Sequence, residues 1–329
     1  IRDSASQVIS AQGRVFFVGQ TAQGGGELVA VDAASGQVDW RTPLPSPFGT
    51  LATASGLVFV ATHTGAHNAT LALDAATGTI RWQVPLAATD LVTGMVATDA
   101  ALIEDQGTGT LVALRVSDGA PLWQKSDGYT ALLLDGNTLL TLAACGGSNV
   151  VVASSYTVCV ASVALGDGST QWTAAIGQVN CTLLVVCTGA PTGPLAAGPS
   201  LVYVVGTAPA AAQNGVSQQP QILFAIDPVG GAVRWQFVIP GGLVPTNAPL
   251  TFGALGADAH AVYYFSTGGT LHALAANAPT PLWSLHLPYT LSLTMTQATV
   301  LQGIVLVASG DHASAIRASN GTLLWSVAG

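Results

Sequence analysis

The chain has 329 residues, of which 7% are charged and 50% hydrophobic, and its net charge is −8. That balance excludes a nucleic-acid binder, which needs a basic stripe, and a disordered chain, which is rich in charge and poor in apolar residues. No uninterrupted apolar run reaches the roughly 18 residues of a spanning helix, so no membrane span is expected.

The first element read along the chain is the segment Leu28–Trp40, LVAVDAASGQVDW, which then recurs. Leu71–Trp82 reads LALDAATGTIRW, Leu111–Trp123 LVALRVSDGAPLW, and Leu223–Trp235 LFAIDPVGGAVRW. Val160–Trp172 and Ala315–Trp325 are looser copies, and Leu271–Trp283 keeps the strands but has Pro279 in place of the Gly. The seven Trp residues, 40, 82, 123, 172, 235, 283 and 325, are spaced by 42, 41, 49, 63, 48 and 42 residues. A period near 40 with insertions marks a repeat architecture.

Each copy reads as a hairpin. The L-x-A-L-D stretch alternates and suits a half-buried strand. In D-A-x-x-G the Asp bonds backbone two residues on and the Gly supplies a positive φ. The Trp begins the next strand. Two further apolar strands precede each hairpin, such as Val15–Val18 and Leu57–Ala61. The expected fold is therefore all-β, a seven-bladed β-propeller of four-stranded antiparallel blades, with almost no helix. The blades fall at about 5–44, 47–86, 89–126, 129–176, 193–240, 250–288 and 290–328, as one domain over 1–329. Blade 7 is expected to close on blade 1 without a shared strand.

The hairpin resembles the repeat of the pyrroloquinoline-quinone-like propeller family, A-x-D-x-x-T-G-x-x-x-W, most closely at Ala72–Trp82 and Ala30–Trp40. The resemblance covers the chain repeat by repeat. It implies that all seven Trp side chains dock between neighbouring blades, a structural role. Quinone-binding dehydrogenases of that type have eight longer blades, an adjacent Cys pair, a calcium site and a catalytic acid. The adjacent Cys pair is missing from this sequence, so no quinone cofactor is expected.

Three insertions, Cys145–Ser155, Gly177–Thr192 and Thr207–Pro220, project from the face that carries the strand two-to-three loops. Between Gly136 and Ile226 the only charge is Asp167. Long loops inside compact repeats carry function, and interface cores are depleted in charge, so the 136–226 sector is read as a contact surface for another protein or a second copy. All four cysteines, Cys145, Cys159, Cys181 and Cys187, lie there. Two disulfides have three possible pairings; 145–159 with 181–187 is favoured because each pair flanks one loop. Spacings of 14, 22 and 6 do not suit a zinc site. Disulfides point to an oxidising compartment, and a start at Ile1 rather than Met is read as a removed leader or as a cut within a longer chain.

Sequons at Asn68, Asn180 and Asn320 are glycosylation candidates. Asp90, Glu104, Asp105 and Asp127, around blades 3 and 4, are the candidates for calcium. His63 and His67 share a loop, and Asp311–His312 lies on the same face in blade 7, too far away for a shared metal site. No nucleophile elbow, Walker loop, H-E-x-x-H or dinucleotide fingerprint is present, and no catalytic set is expected. The expected function is a secreted or cell-surface, non-enzymatic binding or assembly propeller, one version of which is the subunit of an extracellular filament. The alternatives are a quinone- or metal-dependent oxidoreductase and a periplasmic scaffold resembling the propeller lipoprotein of outer-membrane assembly.

Overall fold

A computed structural model describes residues 8–20, 26–64, 68–107, 109–126, 128–145, 155–180, 195–207, 211–213, 216–245, 255–266, 269–287, 296–309 and 312–328. Among them there is no helix. Blade 1 comprises β1 (Ile9–Ala11), β2 (Arg14–Gln20), β3 (Gly26–Asp32) and β4 (Val38–Leu44). Blade 2 comprises β5 (Pro47–Ala54), β6 (Leu57–Thr62), β7 (Asn68–Asp74) and β8 (Ile80–Leu86). Blade 3 comprises β9 (Gly94–Ala97), β10 (Ala101–Asp105), β11 (Leu111–Arg115) and β12 (Pro121–Lys125). Blade 4 comprises β13 (Thr130–Asp135), β14 (Thr138–Ala144), β15 (Ser155–Val163) and β16 (Thr170–Asn180). Blade 5 comprises β17 (Leu195–Ala197), β18 (Val202–Thr207), β19 (Ala211–Gln213), β20 (Val216–Ile226) and β21 (Val233–Pro245). Blade 6 comprises β22 (Leu255–Ala257), β23 (Ala261–Phe265), β24 (Thr270–Ala275) and β25 (Pro281–His286). Blade 7 comprises β26 (Thr296–Leu301), β27 (Ile304–Ser309), β28 (His312–Arg317) and β29 (Leu323–Ala328).

Every blade is an antiparallel sheet, a four-stranded meander in all but blade 5, and the seven together make a seven-bladed β-propeller. Blades 1–3 with the 165–169 turn form one compact unit, and the rest of the chain forms a second. In the first unit, Phe16, Leu28, Leu51, Val58 and Leu71 pack where blades 1 and 2 meet. Phe59, Ala72, Met95, Leu102 and Leu114 do the same for blades 2 and 3. In the second unit, one core runs through blades 4, 5 and 6 and another joins blades 6 and 7.

This stacking corrects the half-buried reading of the L-x-A-L-D strands. β7 is buried at six consecutive positions and β3 at four, because a neighbouring blade covers each face. The outer strands alternate instead, with an exposed–exposed–intermediate pattern at the start of β4, β8 and β25, because only one of their faces meets a blade.

The Trp staples supply the second inter-blade tie. Trp40 Nε1 donates to the Ala75 carbonyl at 3.1 Å, Trp82 to Val116 at 2.8 Å, and Trp123 to Leu165 at 2.7 Å. Trp172 donates to Pro228 at 3.1 Å and Trp283 to Ala318 at 2.8 Å. Each indole lies over the Gly of the receiving turn. A Cβ on Gly78 would come within 2.7 Å of the Trp40 ring, and one on Gly231 within 2.5 Å of Trp172. Both glycines also have φ +71, so the position excludes a side chain twice over. The turn acid is fixed locally: Asp74 Oδ1 accepts from the Ala76 and Thr77 amides at 3.0 Å, and Arg81 reaches Oδ2 at 2.6 Å. Those bonds, led by Arg81, hold the Asp74 carboxyl down at about 2.

Candidate functional site

The charge-poor sector builds longer strands than the rest of the chain. β15 and β16 continue their ladder outward to the Ser155–Asn180 pair. In blade 5, the span Thr207–Pro220 is not the plain loop expected from sequence. β19 returns along β20, pairing Ala211 with Gln218, and β21 continues to pair Pro245 with Gln218. A fifth strand thus lies on the same edge of β20 as β18. A short run of small residues gave no strand signal; the ladder offered by the extended β20 supplies the hydrogen bonds that make it one.

Cys145 and Cys159 form a disulfide across the base of the β14–β15 connection. Its Cα atoms are 5.3 Å apart, and Cys159 faces Ala143 in the ladder. Cys181 and Cys187 lie outside the described residues.

The outermost strand of each blade leaves one row of backbone groups unpaired, a hazard usually blunted by Pro or charge. β4, β8, β12, β21 and β25 each contain Pro, at positions 43, 85, 121, 240 and 281 among others. β16 (TQWTAAIGQVN) and β29 (LLWSVA) contain neither Pro nor a charged residue. Among the described side chains of β16, Gln171, Thr173 and Ala175 are exposed.

The acidic candidates do not converge. Asp127 lies outside the described residues. Asp90 sits in the link after blade 2, where its carbonyl accepts from Asn68 Nδ2 at 3.2 Å. Asp105 Oδ1 accepts the Gly107 amide at 3.0 Å. Glu104 is 0% exposed, with both carboxyl oxygens lacking a hydrogen-bond partner. Burial pushes its carboxyl up to about 7; Thr70 and Gln106 temper that rise, yet neither sits at good hydrogen-bonding geometry. In the ladder Glu104 takes the register position of Val60 in blade 2 and Val307 in blade 7. It is an acid in an apolar seat, not a solvent-facing calcium ligand. Among the described residues no three His, Cys, Asp or Glu side chains gather as a metal would require. Among the described residues the acids therefore do not assemble the site that a calcium-bound quinone would need.

Asn68 is corrected as a glycan acceptor. It is 2% exposed, and its Nδ2 donates to the carbonyls of Ala87, Ala88 and Asp90, each at 3.2 Å. Its Oδ1 accepts the Thr64 amide at 3.2 Å. The side chain clamps the link between blades 2 and 3 and leaves no amide for a sugar. Asn320 Oδ1 holds its own turn through Thr322. Asn180 ends β16. His67 and Asp311 lie outside the described residues, while His63 directly follows β6 with a buried Nδ1 and His312 opens β28.

Four-stranded blades locked by a Trp over a Gly turn define a propeller of the quinoprotein-like repeat class. The chain belongs to the family described as outer membrane protein assembly factor BamB, whose model matches residues 2–237 and 219–329. Among solved structures, BamB from Moraxella catarrhalis superposes with a TM-score of 0.64 at 18% identity, over 99% of this chain and 86% of that one. The quinohemoprotein alcohol dehydrogenase ADHIIG from Pseudomonas putida HK5 gives 0.62 at 14%, over 98% of this chain and 66% of that one. Hsv2p from Kluyveromyces lactis gives 0.61 at 8%, over 98% of both chains. At these identities the likeness is one of fold. No curated protein sequence matches the chain.

Proposed function

We propose that the protein is a non-enzymatic scaffold working outside the cytoplasm, periplasmic or at the cell surface, which holds a partner protein along blades 4 and 5. The observation that carries this is the β16 edge: a long outer strand with neither Pro nor charge, inside a sector with one charge in 91 residues. An edge of that kind accepts an extended segment of another chain, and the uncharged surround costs little to desolvate. The Cys145–Cys159 bond supports an oxidising compartment, and the family name, an outer membrane protein assembly factor, supports an assembly role. The acids support structural rather than chemical duty, since Asp32, Asp74 and Asp227 each spend a carboxylate oxygen on their own turn's amides.

The test is a photo-crosslinking amino acid placed at Ala175 on β16, with one at Gln83 on β8 as control, in cells expressing the full chain. A discrete cross-linked protein at 175, absent at 83 and lost when Thr173 is changed to Lys, is the expected result. No adduct at 175, or equal adducts at both, would refute the reading.

A further inference from the structure

A segment docked on β16 would meet a second wall, in blade 5. β16 crosses that blade obliquely. At its start the Trp172 ring covers Gly231 in the β20–β21 turn, where a Cβ would come within 2.5 Å of the ring. Further along, a Cβ on Gly206 would come within 2.0 Å of the Ile176 carbonyl oxygen, so this part of β16 lies over β18. β18 is two strands away from β21 in the sheet, so β16 diverges from β21 as it runs. The side chains of β16 that point at blade 5, Ala174 and Ile176, are buried in the core that the two blades share.

What stays uncovered is the face of β21 that looks towards blade 4. Val238 pairs with Ile222 and Gln236 with Phe224, and directly opposed residues point the same way. Phe224 points at β16, since its ring would be 2.9 Å from the same Cβ on Gly206. The other face of β21 belongs to blade 6, where the Phe237 ring lies 6.3 Å from that of Tyr264, centroid to centroid. Ile222 and Phe224 are buried, whereas Gln236 is exposed and Val238 is 57% exposed. Val238 is the third residue after its Trp. The other repeats have Pro43, Pro85, Ser126, Ala175, His286 and Ala328 in that place. The repeat with a large aliphatic side chain there is therefore the one beside β16, an edge with neither Pro nor charge.

β16 and β21 are the outermost strands of their blades. A strand added to β16 extends blade 4 and comes to lie over Gln236 and Val238. We infer that the partner held at β16 is an extended, uncharged segment of another protein, with an aliphatic or aromatic side chain seated on Val238. The edge supplies backbone hydrogen bonds, and the apolar wall selects the side chain that faces it. A charged side chain in that seat would lose water with no opposite charge to meet. Asp167 is the single charge between 136 and 226, and Arg234, on β21 itself, is already bound to Asp227. The inference rests on the β16 edge as the docking line and adds the chemistry of what docks there.

Photo-crosslinking at Ala175, on the edge, and at Gln236, beside Val238, tests this in cells expressing the full chain, with the captured segment sequenced by mass spectrometry. The expected result is one segment of one other protein at both positions. It should run for about five residues without Pro or charge and carry an aliphatic or aromatic residue next to the one captured at 236. Val238→Asp should cut the Ala175 adduct about 10-fold or more, as for a carboxylate buried without a partner, and Val238→Ile should keep it. Val238 is exposed, so neither variant should change Tm. An Ala175 adduct that survives Val238→Asp would overturn this inference and leave the edge reading standing. No adduct at Ala175 in the wild type would overturn both. A captured segment that is charged, or that comes from a second copy of this chain, would also overturn the inference.

Discussion

Tyr203 takes the carbonyl that its neighbour Trp235 would otherwise use. The Tyr203 hydroxyl donates to Ala276 at 2.7 Å, while the Trp235 ring lies 5.8 Å away, centroid to centroid, with a buried Nε1 that has no partner. Ala276 stands where Ala75 and Val116 stand in the formed locks, directly after the turn's first residue. Blade 6 is also the blade whose turn has Pro279 in place of Gly. The two indoles therefore differ in what their N–H contributes. Trp82→Phe should destabilise by about 1 kcal/mol more than Trp235→Phe, since only the former loses a bond and the latter removes an unsatisfied donor. Urea denaturation of both variants measures the difference.

Gly78 and Gly241 share a positive φ, +71 and +69, and differ in what lies above them. Gly78→Ala drives a methyl into the Trp40 ring at 2.7 Å, so the strain of positive φ is joined by overpacking, for about 3 kcal/mol in all. Gly241→Ala meets nothing within 4 Å and should cost about 1 kcal/mol from φ alone. Equal losses in urea denaturation would contradict the lock geometry.

Glu104 sets a pH dependence of definite sign. Its carboxyl is raised from 4.5 to about 7 by burial. The folded chain therefore holds a proton that the unfolded chain has released, and stability is greatest below about 4.5. It falls as pH rises from there through about 7 and is level above. The full span is about 3 kcal/mol. Glu104→Gln should flatten the profile between pH 4.5 and 7, read as Tm against pH. Asp74 acts oppositely and elsewhere: held at about 2, it stabilises above its unfolded value of 3.8 and loses that contribution as pH falls towards 2.

The Cys145–Cys159 bond closes a span of 14 residues. On the chain-entropy account, removing it costs about 3 kcal/mol. The double variant Cys145→Ala, Cys159→Ala should show that loss in equilibrium denaturation. A double variant as stable as the parent would mean that the β14–β15 ladder alone fixes the connection.

Some of this was legible in the sequence and some was not. Seven Trp at a period near 40, each preceded by an Asp–Gly turn, specify the blades, because the turn needs a positive φ and the strand needs apolar side chains whatever surrounds them. The pairing of Cys145 with Cys159 followed from loop closure. Glu104 and Asn68 were misplaced, both as groups facing water. Each occupies a position whose burial depends on the neighbouring blade, and no local pattern records that.

The repeat itself, the turn chemistry and the empty charge map of 136–226 were determined by the sequence alone, since each rests on local backbone preference and composition. Only the tertiary structure decided which indole N–H groups are bonded. Trp82 and Trp235 end repeats of one pattern, yet Trp82 Nε1 donates to the Val116 carbonyl and the buried Trp235 Nε1 has no partner. The difference is the Tyr203 hydroxyl, which takes the Ala276 carbonyl from a distant part of the chain that no local pattern records.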